Sequence, residues 1–270
     1  MNNTGLKIAL AIAFVIGLVC AVDPQLDVDL SELFFNRAVG VGLFDANSQW
    51  WVQLSRNSAR LIIVLLVLPG VIAVLGKLIA PRRPMLVEAR AALFLVATLA
   101  MGPGLVTNVI LKDHWGRTRP IDLTQFDIYH LNRGQFTPWW DPRGRCPNNC
   151  SFIAGEPSGA FWTLAPAALA PPELRVLAYG AALIFGAAVG ILRIAAGAHF
   201  FSDVVFAGVF MYIIIWTTHG LIYRWPATKL DEDRIEASLT DIGDSLHKGV
   251  ASLWQRGVTI LARLTAKKSP

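Results

Sequence analysis

Hydrophobic positions along the chain fall into long, almost uncharged runs separated by polar stretches, which is the pattern of membrane crossings. The runs cover 6–22, 61–80, about 86–111, 159–170, 174–192 and 200–222. The fourth is short and is expected to begin earlier. The first follows a single lysine, but Asp23-Pro24 makes a poor cleavage site, so it reads as a retained span and not as a signal peptide. Pro69-Gly70 and Lys77 interrupt the second run, and Gly102-Pro103-Gly104 interrupts the third. Such breaks are tolerated where neighbouring helices satisfy the freed backbone groups. The pattern predicts an all-α polytopic bundle of six transmembrane helices. An even number of spans puts both termini on one side and both polar stretches, 23–60 and 112–157, on the other. The first of these stretches is expected to hold a short interfacial helix.

The periodicity changes after the last run. Ile235, Leu239, Ile242, Leu246, Val250, Leu253, Gly257, Ile260 and Leu264 recur at spacings of three and four, with charged residues on the other faces. This predicts one amphipathic helix over 228–266. It lies on the cytoplasmic membrane surface, pairs with another subunit, or packs against the bundle. The chain therefore divides into a membrane unit, 1–227, and a C-terminal helical unit, 228–270.

Composition agrees with a membrane protein. Hydrophobic residues make up 54% of the 270 positions, charged residues only 16%, and the mean hydropathy is +0.49. A soluble domain carries about a quarter charged residues. The net charge of +5 sits between apolar runs, which suits anionic lipid headgroups and not nucleic acid. Cys146 and Cys150 form a C-P-N-N-C segment in the long loop. A disulfide there needs an oxidising compartment, placing that loop outside the cytoplasm; two free thiols are the alternative. Lys77, Arg82 and Arg83 around the opposite turn favour the cytoplasm. Cys20, in the first span, reads as a small apolar filler.

Two segments carry chemistry. Lys112, His114, Arg117 and Arg119 crowd the end of the third span. Clustered cations repel one another unless an anion lies between them, and guanidinium forks match phosphate oxygens. The blander reading is a positive membrane flank. In the second segment Arg193 and His199 flank an apolar turn, and Asp203 follows His199 by four on one helix face. A carboxylate beside an imidazole fixes its tautomer and prepares it for nucleophilic or acid–base work. Asp23, Asp27, Asp29, Glu32 and Asp45 match no calcium loop and read as solvated helix surface. His219 and His247 read as structural or interfacial, and His130 as a headgroup contact.

Together the segments resemble the type 2 phosphatidic acid phosphatase (PAP2) superfamily. Lys112 with Arg119-Pro120 matches its first motif. Arg193, His199 and Asp203 match its third, with Leu192 in place of a serine. The second motif, Pro-Ser-Gly-His, departs. One register runs over Pro157-Ser158-Gly159 and puts Ala160 at the histidine. The other runs over 152–161 and puts Glu156 there. The second keeps more flanking residues and is preferred. The resemblance implies a hydrolase that needs no metal and no cofactor. His199 forms a phosphohistidine and Asp203 orients it. Lys112, Arg119, Arg193 and the Gly155 amide bind phosphoryl oxygens. Glu156 protonates the leaving oxygen, which requires burial to raise its pKa against the pull of the nearby arginines, with His114 in reserve; Arg117 and Ser158 are further candidates.

The substrate implied is a membrane lipid phosphate: lipid A, phosphatidic acid, phosphatidylglycerol phosphate or undecaprenyl pyrophosphate. The long Trp- and Arg-rich loop leans the choice toward lipid A. The expected place is a bacterial inner membrane with the site facing the periplasm. The rivals are a lipid phosphotransferase and a non-catalytic lipid-phosphate binder or transporter.

Overall fold

The computed structural model describes residues 2–35, 49–126 and 134–266, with side chains to 259; Asp45 and His130 lie outside them. The described residues are mostly helical, with a single isolated bridge between Leu123 and Gly134 and an irregular stretch over 135–154. Among them five helices are long and apolar enough to cross a membrane: Asn3–Val22, Trp50–Ile79, Ala89–His114, Pro172–Ala195 and Phe201–Arg224. The elements are α1 (Asn3–Val22), α2 (Gln25–Glu32), α3 (Trp50–Ile79), α4 (Ala89–Leu99) and α5 (Lys112–His114). They continue as α6 (Gly155–Phe161), α7 (Leu164–Leu169), α8 (Pro172–Ala195), α9 (Phe201–His219) and α10 (Glu232–Ala266).

Three departures from the sequence pattern matter. First, α3 starts at Trp50, so residues 50–60 are helical and not loop. Thirty residues span about 45 Å, well beyond the hydrocarbon core, so a polar first third is tolerated outside it. Pro69 sits inside the helix without ending it. Second, the Gly102-Pro103-Gly104 break does not divide the third run. The chain passes through a wide π-helical stretch, Ala100–Leu111, between α4 and α5. Such widening absorbs a proline that cannot donate a hydrogen bond. Third, the fourth run forms two short helices, α6 and α7, neither long enough to be counted as a span by itself.

The core lies where α6 and α7 pass between α4, α8 and α9. Trp162 is fully buried and donates from Nε1 to Thr98 Oγ1 at 2.9 Å. Phe152, Phe161, Phe206, Met211 and Ile215 surround it. Small residues let these helices approach. A Cβ at Gly186 meets the Phe161 ring, and one at Gly190 meets Val204. The outer faces are apolar: Phe14, Leu65 and Ile184 are all largely exposed. With water outside, such a surface is unfavourable, and with lipid outside it is the expected one.

The order of helices sorts their ends. The last residues of α1, the first of α3, the end of α5, the start of α6, the end of α8 and the start of α9 gather at one end of the bundle. The turns 80–88 and 170–171 and the start of α10 lie at the other.

Candidate active site

Helix ends deliver the polar residues. Lys112 is the first residue of α5, Gly155 and Glu156 open α6, and Arg193 lies in the last turn of α8. Gly197 follows with φ +63°, a left-handed turn that suits glycine and swings His199 back toward the bundle before α9 begins. A Cβ on Gly155 would come within 2.9 Å of Lys112 Nζ, so a larger residue there would push the lysine's end away from the start of α6. Asn149 ties the first motif together. Its Oδ1 accepts from Lys112 Nζ at 3.0 Å and from Arg119 Nη2 at 2.8 Å. Its carbonyl accepts twice more from Arg119, at 3.0 and 2.7 Å. Asn149 belongs to the short loop closed by a disulfide between Cys146 and Cys150. That loop docks on the first motif through Cys146 N to Gly116 O and Cys150 N to Lys112 O, both 3.0 Å.

His199 is buried at 2% exposure, and its Nδ1 lies 2.7 Å from the carbonyl oxygen of Ser151. A carbonyl only accepts, so Nδ1 carries the proton and Nε2 keeps its lone pair. Burial lowers the pKa of His199 well below 6.5, and the nearby charges of Arg119, Arg193 and Lys112 lower it further. The bond to Ser151 acts the other way without winning.

Asp203 does not hold the ring directly. Its Oδ2 stands 4.0 Å from His199 Nδ1 and accepts from Ser151 Oγ at 2.5 Å and from Phe200 N at 2.9 Å. Ser151 thus stands between the carboxylate and the imidazole. Asp203 also faces Arg117, which is fully buried and bonded to both Asp203 and Asp27, the latter at 2.8 Å. Burial opposes the charge on Arg117, but the two carboxylates outweigh it and raise its pKa. Its plane covers the Phe200 ring at 4.2 Å. Arg117 is thus a cation committed behind the site, not a phosphate ligand. Asp27 is likewise buried, bonded to Ser202 N at 2.9 Å, and not solvated helix surface. The reason is pairing: a carboxylate that meets a buried guanidinium is stable where a lone one is not.

Glu156 reaches the cationic cluster. Its Oε2 lies 3.2 Å from Arg193 Nε. Its Oε1 is 2.7 Å from Arg56 Nη2 and 2.8 Å from Arg60 Nη2. Burial pushes its pKa up, but three guanidinium groups outweigh it and hold Glu156 as the carboxylate, as the crowd of arginines in the sequence implied. Ala160 instead packs with Ala59 and Val189 in an apolar cluster. Ser158 is buried and bonded to Ala154 O at 2.8 Å. His114 turns back on its own helix, with Nδ1 3.0 Å from Ile110 O. Neither joins the cluster through any of these bonds. Among the described residues no group of three His, Cys, Asp or Glu side chains converges on one point.

Sequence reasoning missed Asn149, Ser151, Arg56 and Arg60. A signal existed for the arginines, which are two basic residues one helical turn apart beside an apolar run.

A family model described as the PAP2 superfamily matches residues 91–229, which contain the site residues described above except Asp27, Arg56, Ala59 and Arg60. The chain belongs to the PAP2 superfamily. It is similar over most of its length to a lipid A 4'-phosphatase of Francisella tularensis subsp. novicida. The two are 33% identical over 224 residues, 80% of this chain and 95% of that protein. Shorter matches join it to lipid A 4'-phosphatases of Rhizobium leguminosarum and Rhizobium etli. The first is 37% identical over 41% of this chain and 46% of the relative, the second 33% over 40% and 41%. No solved structure matches. This PAP2 protein is an integral membrane phosphatase, a phosphoric ester hydrolase whose substrate is a membrane lipid phosphate.

Proposed function

We propose that this chain hydrolyses a phosphate monoester of lipid A, at the 4' position, through a phosphohistidine on His199. The observation that carries the reading is the bond from His199 Nδ1–H to Ser151 O at 2.7 Å, which leaves Nε2 as the nitrogen that can attack. Burial and the charges of Arg119, Arg193 and Lys112 lower the ring's pKa and favour its neutral form. The relatives' names supply the lipid.

The reaction runs in two displacements. Nε2 attacks phosphorus, an N–P bond forms, and the bond from phosphorus to the lipid oxygen breaks. Lys112, Arg119, Arg193 and the Gly155 amide take up the equatorial oxygens, where charge is greatest in the transition state. The lipid oxygen leaves with a proton from Glu156. Glu156 gains that proton when the phosphate dianion competes for Arg193 and weakens the grip on its carboxylate. Water then attacks the phosphohistidine, gives its proton back to Glu156, and releases inorganic phosphate. Asp203 steadies the charged imidazole through Ser151. The Cys146–Cys150 loop keeps Asn149 between Lys112 and Arg119.

For topology, we assign α6 and α7 together as the sixth crossing, in a membrane unit of 1–227. The support is the position of their ends: Glu156 lies among the site residues, whereas Ala170 adjoins the turn into α8 at the other end. In this arrangement the site faces the periplasm of a bacterial inner membrane, and α10 is an amphipathic helix at the opposite face.

The test is phosphate release in detergent with EDTA, from lipid A, phosphatidic acid, phosphatidylglycerol phosphate and undecaprenyl pyrophosphate. Lipid A is expected to be preferred. Activity is expected to survive EDTA, to vanish in His199→Ala, and to leave an acid-labile, base-stable label on the protein when the phosphate is radioactive. Undiminished turnover by His199→Ala would rule the mechanism out, and indifference to the lipid would rule out the substrate.

A further inference from the structure

The proposed chemistry leaves α10 unused, and its two halves differ. The first half is fastened to the bundle. Glu232 accepts from the backbone of Ala89 and from Arg90 N and Nε, the last two at 3.2 Å. Glu236 pairs with Lys77 at 2.7 Å, Thr240 donates to Pro81 O at 3.3 Å, and Gly243 fits under Pro81 and Leu78. Beyond Gly243 these attachments cease.

Two features follow immediately. A cleft of about 580 Å³ opens between the turn after α3 and the middle of α10, lined by Ala80, Pro81, Arg82, Arg83, Asp244, His247 and Lys248. Next to it, Leu246, Val250, Leu253, Trp254 and Val258 form one exposed stripe; Trp254 alone is 75% exposed. Charge is segregated too. After Asp244 the sequence has no acidic residue, and its Lys and Arg residues are Lys248, Arg256, Arg263, Lys267 and Lys268.

The surface lies beside the ends of membrane-crossing helices, where Ile79 closes α3 and Ala89 opens α4. We propose that the Arg82–Arg83 turn and the distal half of α10 bind anionic phospholipid on the face opposite the active site. A headgroup occupies the basic cleft, and the Leu246–Val258 stripe lies in the leaflet. Lipid is favoured over a second copy by charge: two strips that are basic and lack acids repel when paired. A tryptophan on the stripe also suits the interfacial region.

The test uses the full chain in nanodiscs. Cys146 and Cys150 are joined and Cys20 is buried, so one added cysteine can be spin-labelled selectively. A nitroxide at Leu253→Cys is expected to collide with oxygen and be shielded from a water-soluble nickel chelate, and one at Ser252→Cys, on the opposite face, to do the reverse. In parallel, the wild type is expected to retain phosphatidylglycerol over phosphatidylcholine after purification, measured by native mass spectrometry. The Arg82→Gln/Arg83→Gln/Lys248→Gln triple should lose about fivefold of that preference per residue while phosphatase activity certifies its fold. Equal nickel access at both sites overturns the proposal. So does an unchanged lipid preference in the triple, or dipolar broadening between copies at position 253, which would make a second copy the occupant.

Discussion

Burial removes water from the His199 imidazole, and Arg119, Arg193 and Lys112 repel a second proton from it. An ordinary histidine loses its nucleophilic lone pair as pH falls through about 6.5. Here the folded value lies below that, so protonation sets in only at lower pH. The acid limb of kcat/KM, which reports the free enzyme, is therefore expected below 6.5. An inflection at or above that value would sink the neutral-imidazole reading. Arg56 gives a second test. It makes three bonds to Glu156, from Nε at 2.9 and 3.1 Å and from Nη2 at 2.7 Å. Removing that cation in Arg56→Gln raises the Glu156 pKa, so the acid form persists further and the alkaline limb of kcat moves to higher pH. Loss of a held carboxylate should also cost kcat about tenfold, the equivalent of one charge-assisted bond, with KM changed much less. A pH profile that does not move would make Arg56 merely structural. Lys112, Arg119, Arg193 and His199 were legible because each motif is contiguous in sequence. Arg56 and Arg60 were not, because they meet Glu156 across 100 and 96 residues, and only packing decides that partner.

Between elements, one ion network joins α2, the loop after α5 and the start of α9. Arg117 is enclosed by Asp27 and Asp203, with Thr137 O accepting from its Nε at 2.9 Å. A buried pair of this kind contributes little net stability when intact, but leaves an uncompensated charge when half of it is removed. Asp27→Ala is expected to destabilise the protein by about 3–5 kcal/mol, read as a lowered melting temperature in detergent. Removing the cation as well, in Asp27→Ala/Arg117→Met, should cost less than the sum of the two single changes. Strict additivity would mean the contact carries no coupling. The hydrophobic runs located the long helices well, since the bilayer demands continuous apolar sequence. They placed the start of α3 eleven residues late, at 61 instead of Trp50, because its first turns carry charges that read as loop, and a thirty-residue helix is longer than the hydrocarbon core requires. Asp27 was misread for the opposite reason: a carboxylate in a polar stretch looks solvated until its arginine is found.

At the scale of the molecule the question is how many times the chain crosses, and α6 with α7 decides it. Together with the residues that join them they run only from Gly155 to Leu169, about three quarters of a full crossing by length. They are also the most enclosed part of the bundle, with Trp162, Leu164 and Ala165 all nearly fully buried. A segment sheathed by neighbouring helices need not match the bilayer thickness, because protein and not lipid meets its ends. If it crosses, Gln135 lies on the face of the active site and Glu173, just past α7, lies on the other face together with Arg82. Single cysteines at Gln135, Glu173 and Arg82 can be probed with a membrane-impermeant maleimide on intact spheroplasts. Label is expected on Gln135→Cys alone, with Glu173→Cys and Arg82→Cys reacting only after the membrane is opened. Labelling of Glu173→Cys from outside would mean that the start of α8, at the opposite end of a 24-residue helix from Arg193, is not separated from the site by the membrane in the way proposed. If Gln135→Cys were protected at the same time, the His199 end of the bundle could no longer be assigned to the periplasmic leaflet.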